Sequence, residues 1–223
     1  MDISRKNWNT RQKELRKLLS DPSSSAPAKD LFQRQHAEVH AANMSSAADL
    51  SFEDDVFAGM TDEQLRKLPD QIDQSIAWII WHLARIEDVT MNILVSGDDQ
   101  IFRKMPWDER LGISIMHTGN MMSRREITEL SNSIDLSELR KYRKAVGRQT
   151  EAIVEHIQPE DLARKVSQAR LSRIMREGAI PEDAQDLIDY WNKRTISGLL
   201  LMPATRHCFI HLNEATRIKK RIV

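Results

Sequence analysis

The sequence predicts an all-α fold of four main helices with short decorating helices. Three observations lead there. Apolar residues recur at helical spacing in several long segments, and no stretch shows the alternation of a half-buried strand. Gly and Pro number only seven each in 223 residues, too few for a turn-rich β sandwich or barrel. Helix-start signatures punctuate the chain at Thr61-Asp-Glu-Gln64, Ser123-x-x-Glu126 and Asp135-x-x-Glu138.

Composition narrows the function classes. Apolar residues make up 40% and charged residues 30%, the balance of a soluble globular chain of one domain with appendages. Lys and Arg together equal Asp and Glu at 33 each, so no electrostatic footprint points to nucleic acid or an anionic membrane. The longest apolar runs, 76–81 and 198–204, fall well short of the ~20 residues that span a bilayer. The first ten residues lack the apolar core of a signal peptide. Cys208 is the single cysteine, which excludes an intramolecular disulfide, a zinc ribbon or a CxxC redox pair. A cytoplasmic location is the expectation.

Residues 4–19 can form an amphipathic helix with Trp8, Leu15 and Leu19 on one side. The polar, proline-punctuated stretch 20–27 follows it, so residues 1–27 read as an N-terminal helix-and-linker appendage and 28–223 as the main domain. The first main helix is expected over 29–46, with Phe32, His36, Val39, His40 and Asn43 sharing a face. The second spans 73–95 and ends at Gly97. Its first half is apolar almost all round, which places it centrally, and His82 sits in its middle. Segment 97–135 reads as irregular, with short helices and four methionines (Met105, Met116, Met121, Met122) that suit a loop packing adaptably. The third main helix runs over 135–157. A charged helix over 159–177 reads as a solvated face, and Pro181 opens a short one through Trp191. The fourth main helix, 199–220, contains Pro203 one turn before His207, which should kink it.

The histidines carry the functional signal. Composition predicts about 0.2 His pairs at i,i+4, and two occur, His36/His40 and His207/His211. On a helix, His207 and His211 leave the same face one turn apart. With His82 from a buried facing helix they make a three-nitrogen ligand set whose fourth position is open to water or substrate. Alone, His82 reads as a core histidine satisfied by a backbone carbonyl or an acidic neighbour. Neutral imidazole suits a divalent transition metal, with zinc or nickel the first candidates. Glu214, three residues beyond His211, is the candidate acceptor for a ring N–H, or else pairs with Arg217 or Lys220. Trp78 and Leu200 are candidate apolar walls. Arg85 either holds an anionic group or forms a salt bridge. His36 and His40 either line the same cavity or lie on the surface. Glu87 and Asp88 rotate away from His82 and read as partners of basic residues on a neighbouring helix. Cys208 is rotated away from the ligand face and reads as packing.

Residues 75–88, Ser-Ile-Ala-Trp-Ile-Ile-Trp-His-Leu-Ala-Arg-Ile-Glu-Asp, and the closing Arg206-His207-x-x-x-His211-Leu-Asn-Glu214 resemble two signatures of the DinB-like (damage-inducible) superfamily. The resemblance extends over about residues 28–222. It implies a four-helix bundle with a long crossover connection, and a divalent metal held by His82 on the second helix and His207 and His211 on the fourth. It also implies thiol-linked activities, such as those of bacillithiol S-transferases and mycothiol-dependent maleylpyruvate isomerase, and frequent homodimers. The expected function is therefore a metal-dependent S-transferase acting on a small electrophile with a low-molecular-weight thiol. A metal-dependent hydrolase and a non-enzymatic, stress-related helical binding protein stand as alternatives.

Overall fold

The computed structural model describes residues 3–223, and among them no β-strand occurs, only a single bridge between Lys165 and Thr195. Helix α1 (Ile3–Leu19) buries Trp8, Gln12, Leu15 and Leu19, one stripe at helical spacing. Trp8 stacks on Phe209 with ring centroids 3.9 Å apart and donates its indole N–H to the Gln35 carbonyl. Helix α2 (Ser25–Ala37) packs against α1. It starts and ends earlier than the periodicity suggests, because the chain turns at residues 38–40.

Helix α3 (Ile76–Asp88) is the centre of the molecule. Ser75 caps it by accepting the Trp78 N–H. Every residue from 76 to 95 is buried, and the π-helical continuation Val89–Ser96 is closed by Gly97 at φ 88°. Each of its fully buried side chains, such as Ile76, Ile79 and Ile80, contributes roughly 1.5–3 kcal/mol of apolar burial. Asp88 then sets where the next segment starts. Its carboxylate accepts the backbone N–H groups of Ile101 and Phe102, the Arg85 guanidinium and the Tyr142 hydroxyl.

Segment 97–135 carries short helices Ile101–Lys104, Trp107–Leu111 and Arg124–Ser133, the last opened by the Ser123/Glu126 capping box. Helix α4 (Leu136–His156) follows, with Asp135 accepting the N–H groups of Ser137 and Glu138, and packs along α3. The charged helix expected over 159–177 is broken. A 3₁₀ turn (Pro159–Ala163) and a helix (Gln168–Arg176) flank an extended stretch that pairs with 194–196.

The fourth bundle element is helix α5 (Ile196–Leu201), a π-helical turn (Met202–His207) and helix α6 (Cys208–Ile222). Pro203 lacks an N–H and crowds the preceding turn, so the regular ladder cannot pass it. The Thr205 hydroxyl is shared between the carbonyls of Leu200 and Leu201, and the Gln12 amide donates to Leu201 as well. This turn changes the register between Leu200 and His207. Leu200, expected as a wall of the histidine site, packs instead in the core cluster with Phe32 and Val154. No described helix is long and apolar enough to cross a membrane.

Candidate metal centre

α3, the π-helical turn and α6 bring His82, His207 and His211 together. Ring centroids lie 5.1 Å apart for His82–His207, 5.2 Å for His82–His211 and 4.5 Å for His207–His211. One ring nitrogen from each falls within 4.8 Å of the others. His82 is buried, whereas His207 and His211 are half-buried, so the cluster meets solvent on the α6 side.

Hydrogen bonds fix which nitrogens face inward. His82 Nδ1 lies 2.7 Å from the Thr118 carbonyl, which can only accept, so Nδ1 carries the proton. That leaves the His82 Nε2 lone pair facing His207 Nε2 at 3.3 Å. His211 Nδ1 lies 2.6 Å from Glu214 Oε2, freeing its Nε2. Glu214 thus occupies the place of a carboxylate that orients a ligating imidazole. Its carboxyl is held below the usual range by the hydrogen bond from His211.

Burial makes the cluster electrostatically receptive to a cation. Burial, and then His211, push His82 down to about 4. Burial, followed by His82 and His211, pushes His207 well below the ordinary histidine range. Both rings are therefore neutral near pH 7, the form that ligates metal. Two facing imidazole nitrogens can share at most one proton, and His207 Nδ1 is buried with no hydrogen-bond partner among the described residues. Three convergent nitrogens, with His82 anchored on the Thr118 carbonyl and His211 beside Glu214, fit a divalent transition metal.

Trp78 forms one wall, stacked on His82 at 4.9 Å between centroids and 5° between planes. The loop after Met116 forms the rim. Gly119 takes φ +81°, and a Cβ there would lie 3.2 Å from the Trp78 indole nitrogen and 3.4 Å from Met122 Sδ. Thr118, which carries the orienting carbonyl, has no sequence signature. A backbone acceptor leaves no side-chain trace, and only the neighbouring glycine hints at a tight turn.

Other candidates lie elsewhere. Arg85 is buried and committed to Asp88, Tyr142, Gln100 and the Met116 carbonyl, so it holds no anionic group at this site. His36 and His40 do not touch the triad and are not on the surface. They bind Glu87, which also faces the expected basic residue on a neighbouring helix, Arg143, at 3.9 Å. Cys208 is buried, faces Glu87 and the Pro203 carbonyl, and burial pushes its thiol up to about 12. A cleft of about 530 Å³ between α1 and α6, lined by Arg5, Asn9, Arg206, Phe209 and Arg217, includes none of the three histidines.

A family model described as the DinB superfamily matches residues 54–215, most of the chain. The chain belongs to the DinB superfamily. No curated protein matches it.

Proposed function

We propose that this DinB superfamily member is a metal-dependent enzyme. His82, His207 and His211 hold a divalent transition metal, zinc or nickel, and the reaction joins a low-molecular-weight thiol to a small electrophile. The observation that carries the reading is the convergence of three imidazoles, with the remaining nitrogens of His82 and His211 facing Thr118 and Glu214. The thiol chemistry is supported by the resemblance of the two histidine signatures to those of thiol-linked relatives. A bound metal would lower the pKa of a coordinated thiol toward neutrality and so supply the thiolate nucleophile.

The chain's own groups do the rest. Thr118 and Glu214 keep the ligand nitrogens pointed inward. Trp78 covers one face of His82 and excludes water there. The half-buried edges of His207 and His211 leave an approach for substrate. Cys208 is not the nucleophile, because its thiol is buried and stays protonated.

The test is turnover of a model electrophile by metal-loaded protein with and without added thiols, beside His82→Asn. Turnover that needs thiol and is lost in the variant is expected. Thiol-independent hydrolysis would reassign the protein as a metal-dependent hydrolase, and turnover indifferent to His82 would overturn the proposal.

A further inference from the structure

We infer that His36, His40 and Glu87 form a second, structural binding site for a divalent transition-metal ion. His36 and His40 stand one turn apart, on α2 and the turn that follows it, with ring centroids 4.4 Å apart. Their Nε2 atoms lie 2.7 and 3.0 Å from the two carboxylate oxygens of Glu87 on α3. One donor atom from each residue falls within 4.8 Å of the others, and all three residues are buried. Two imidazoles and a carboxylate are a zinc-type ligand set. Ligands bound at about 2.0–2.1 Å to one tetrahedral ion sit roughly 3.3 Å apart, so the observed contacts need to open by only a few tenths of an ångström.

Three further observations favour a cation there. Both His36 Nδ1 and His40 Nδ1 are buried without a hydrogen-bond partner among the described residues. Each ring can therefore carry its proton on Nδ1 and offer the Nε2 lone pair without breaking a hydrogen bond on that side. Secondly, two buried carboxylates, Glu53 and Glu87, share the single guanidinium of Arg143, at 2.5 and 3.9 Å. His40 adds no positive charge there, since burial pushes it down to about 3. Thr150 donates a hydroxyl to Glu87 but brings no charge. Thirdly, α4 makes room for the cluster with Gly147, where a Cβ would lie 2.9 Å from the His40 ring. A mid-helix glycine destabilises a helix relative to alanine, and this packing explains its presence.

The site is closed to solvent, which suits a structural ion tying α2 to α3. Cys208 Sγ lies 3.8 Å from Glu87 Oε2, and the Thr150 hydroxyl lies 2.8 Å from Glu87 Oε1. His36 and His40 precede the matched residues 54–215, whereas Glu87 lies within them. The inference stands independently of the proposed reaction and of the His82 triad.

The test is zinc content by elemental analysis of the untagged full chain, stripped with chelator, reconstituted with zinc and freed of excess. Two equivalents are expected for the natural chain and one each for His82→Asn and Glu87→Gln. Glu87→Gln holding as much zinc as the natural chain would overturn the inference, as would His82→Asn holding none. Should Glu87→Gln fail to fold by circular dichroism, His82→Asn decides: one retained equivalent supports the second site, and none overturns it. If the triad reading is the one that fails, His82→Asn holds the natural amount while Glu87→Gln loses an equivalent.

Discussion

Replacing His82 by Asn should flatten the acid dependence of stability in the metal-free protein. Asn keeps a donor near the Nδ1 position, within reach of the Thr118 carbonyl, but carries no titrating group. In the natural chain, burial holds His82 at about 4, against 6.5 when unfolded. The folded-state pKa is the lower one, so the unfolded chain binds more protons between those values. Stability is then fully present above pH 6.5 and is lost as pH falls toward 4. Between pH 7.5 and 5.5 the unfolded imidazole passes from about one-tenth to about nine-tenths protonated, while the folded one stays neutral. That difference integrates to about 1.4 kcal/mol. Urea melts of both proteins at the two pH values, with chelator present, measure it. The natural chain should lose about 1.4 kcal/mol more than the variant, since groups remote from the cluster contribute equally to both. Parallel losses, within about 0.3 kcal/mol, would refute the claim that this imidazole is held neutral by its burial.

Other outcomes follow from neighbouring contacts. Glu214→Gln should leave the fold intact and weaken metal binding by about 10- to 100-fold, read by competition with a chromophoric chelator. Gly119→Ala forces an alanine to φ +81° beside the Trp78 indole. It should cost roughly 1–2 kcal/mol and weaken metal binding by pulling the Thr118 carbonyl from His82, checked by thermal melts and the same competition. Glu53→Ala removes the close partner of the buried Arg143 guanidinium, leaving Glu87 at 3.9 Å, and should destabilise by roughly 1–3 kcal/mol. Removing the exposed Arg125–Glu129 pair should leave the melt unchanged because solvent screens it, and denaturant melts separate the two.

Much of the bundle was legible because its signals are local. The run from Ile76 to Ala84 is apolar on all sides, and only a central helix buries that. The caps at Ser123 and Thr61 form as their residue types require. The i,i+4 spacing of His207 and His211 survives the π-helical turn because both lie at its end or beyond it. Leu200 was misplaced for the converse reason, since it lies before that turn and a uniform 3.6-residue period carries it to the wrong face. The break at 164–167 was hidden because its cause is a long-range pairing with 194–196. Glu87 was matched to cations because charge alone suggests them. Only the tertiary packing of α2 on α3 shows that two imidazoles join Arg143 around it. Net neutrality likewise conceals a cleft lined by Arg5, Arg206, Arg217 and Lys220, because totals average over surfaces.

The central claim is that His82, His207 and His211 hold one metal ion, and anomalous diffraction from zinc-soaked crystals tests it most directly. A peak within about 2.0–2.1 Å of all three Nε2 atoms is the predicted result. Saturating zinc with no peak between those nitrogens would contradict the claim, wherever else in the chain the metal is found.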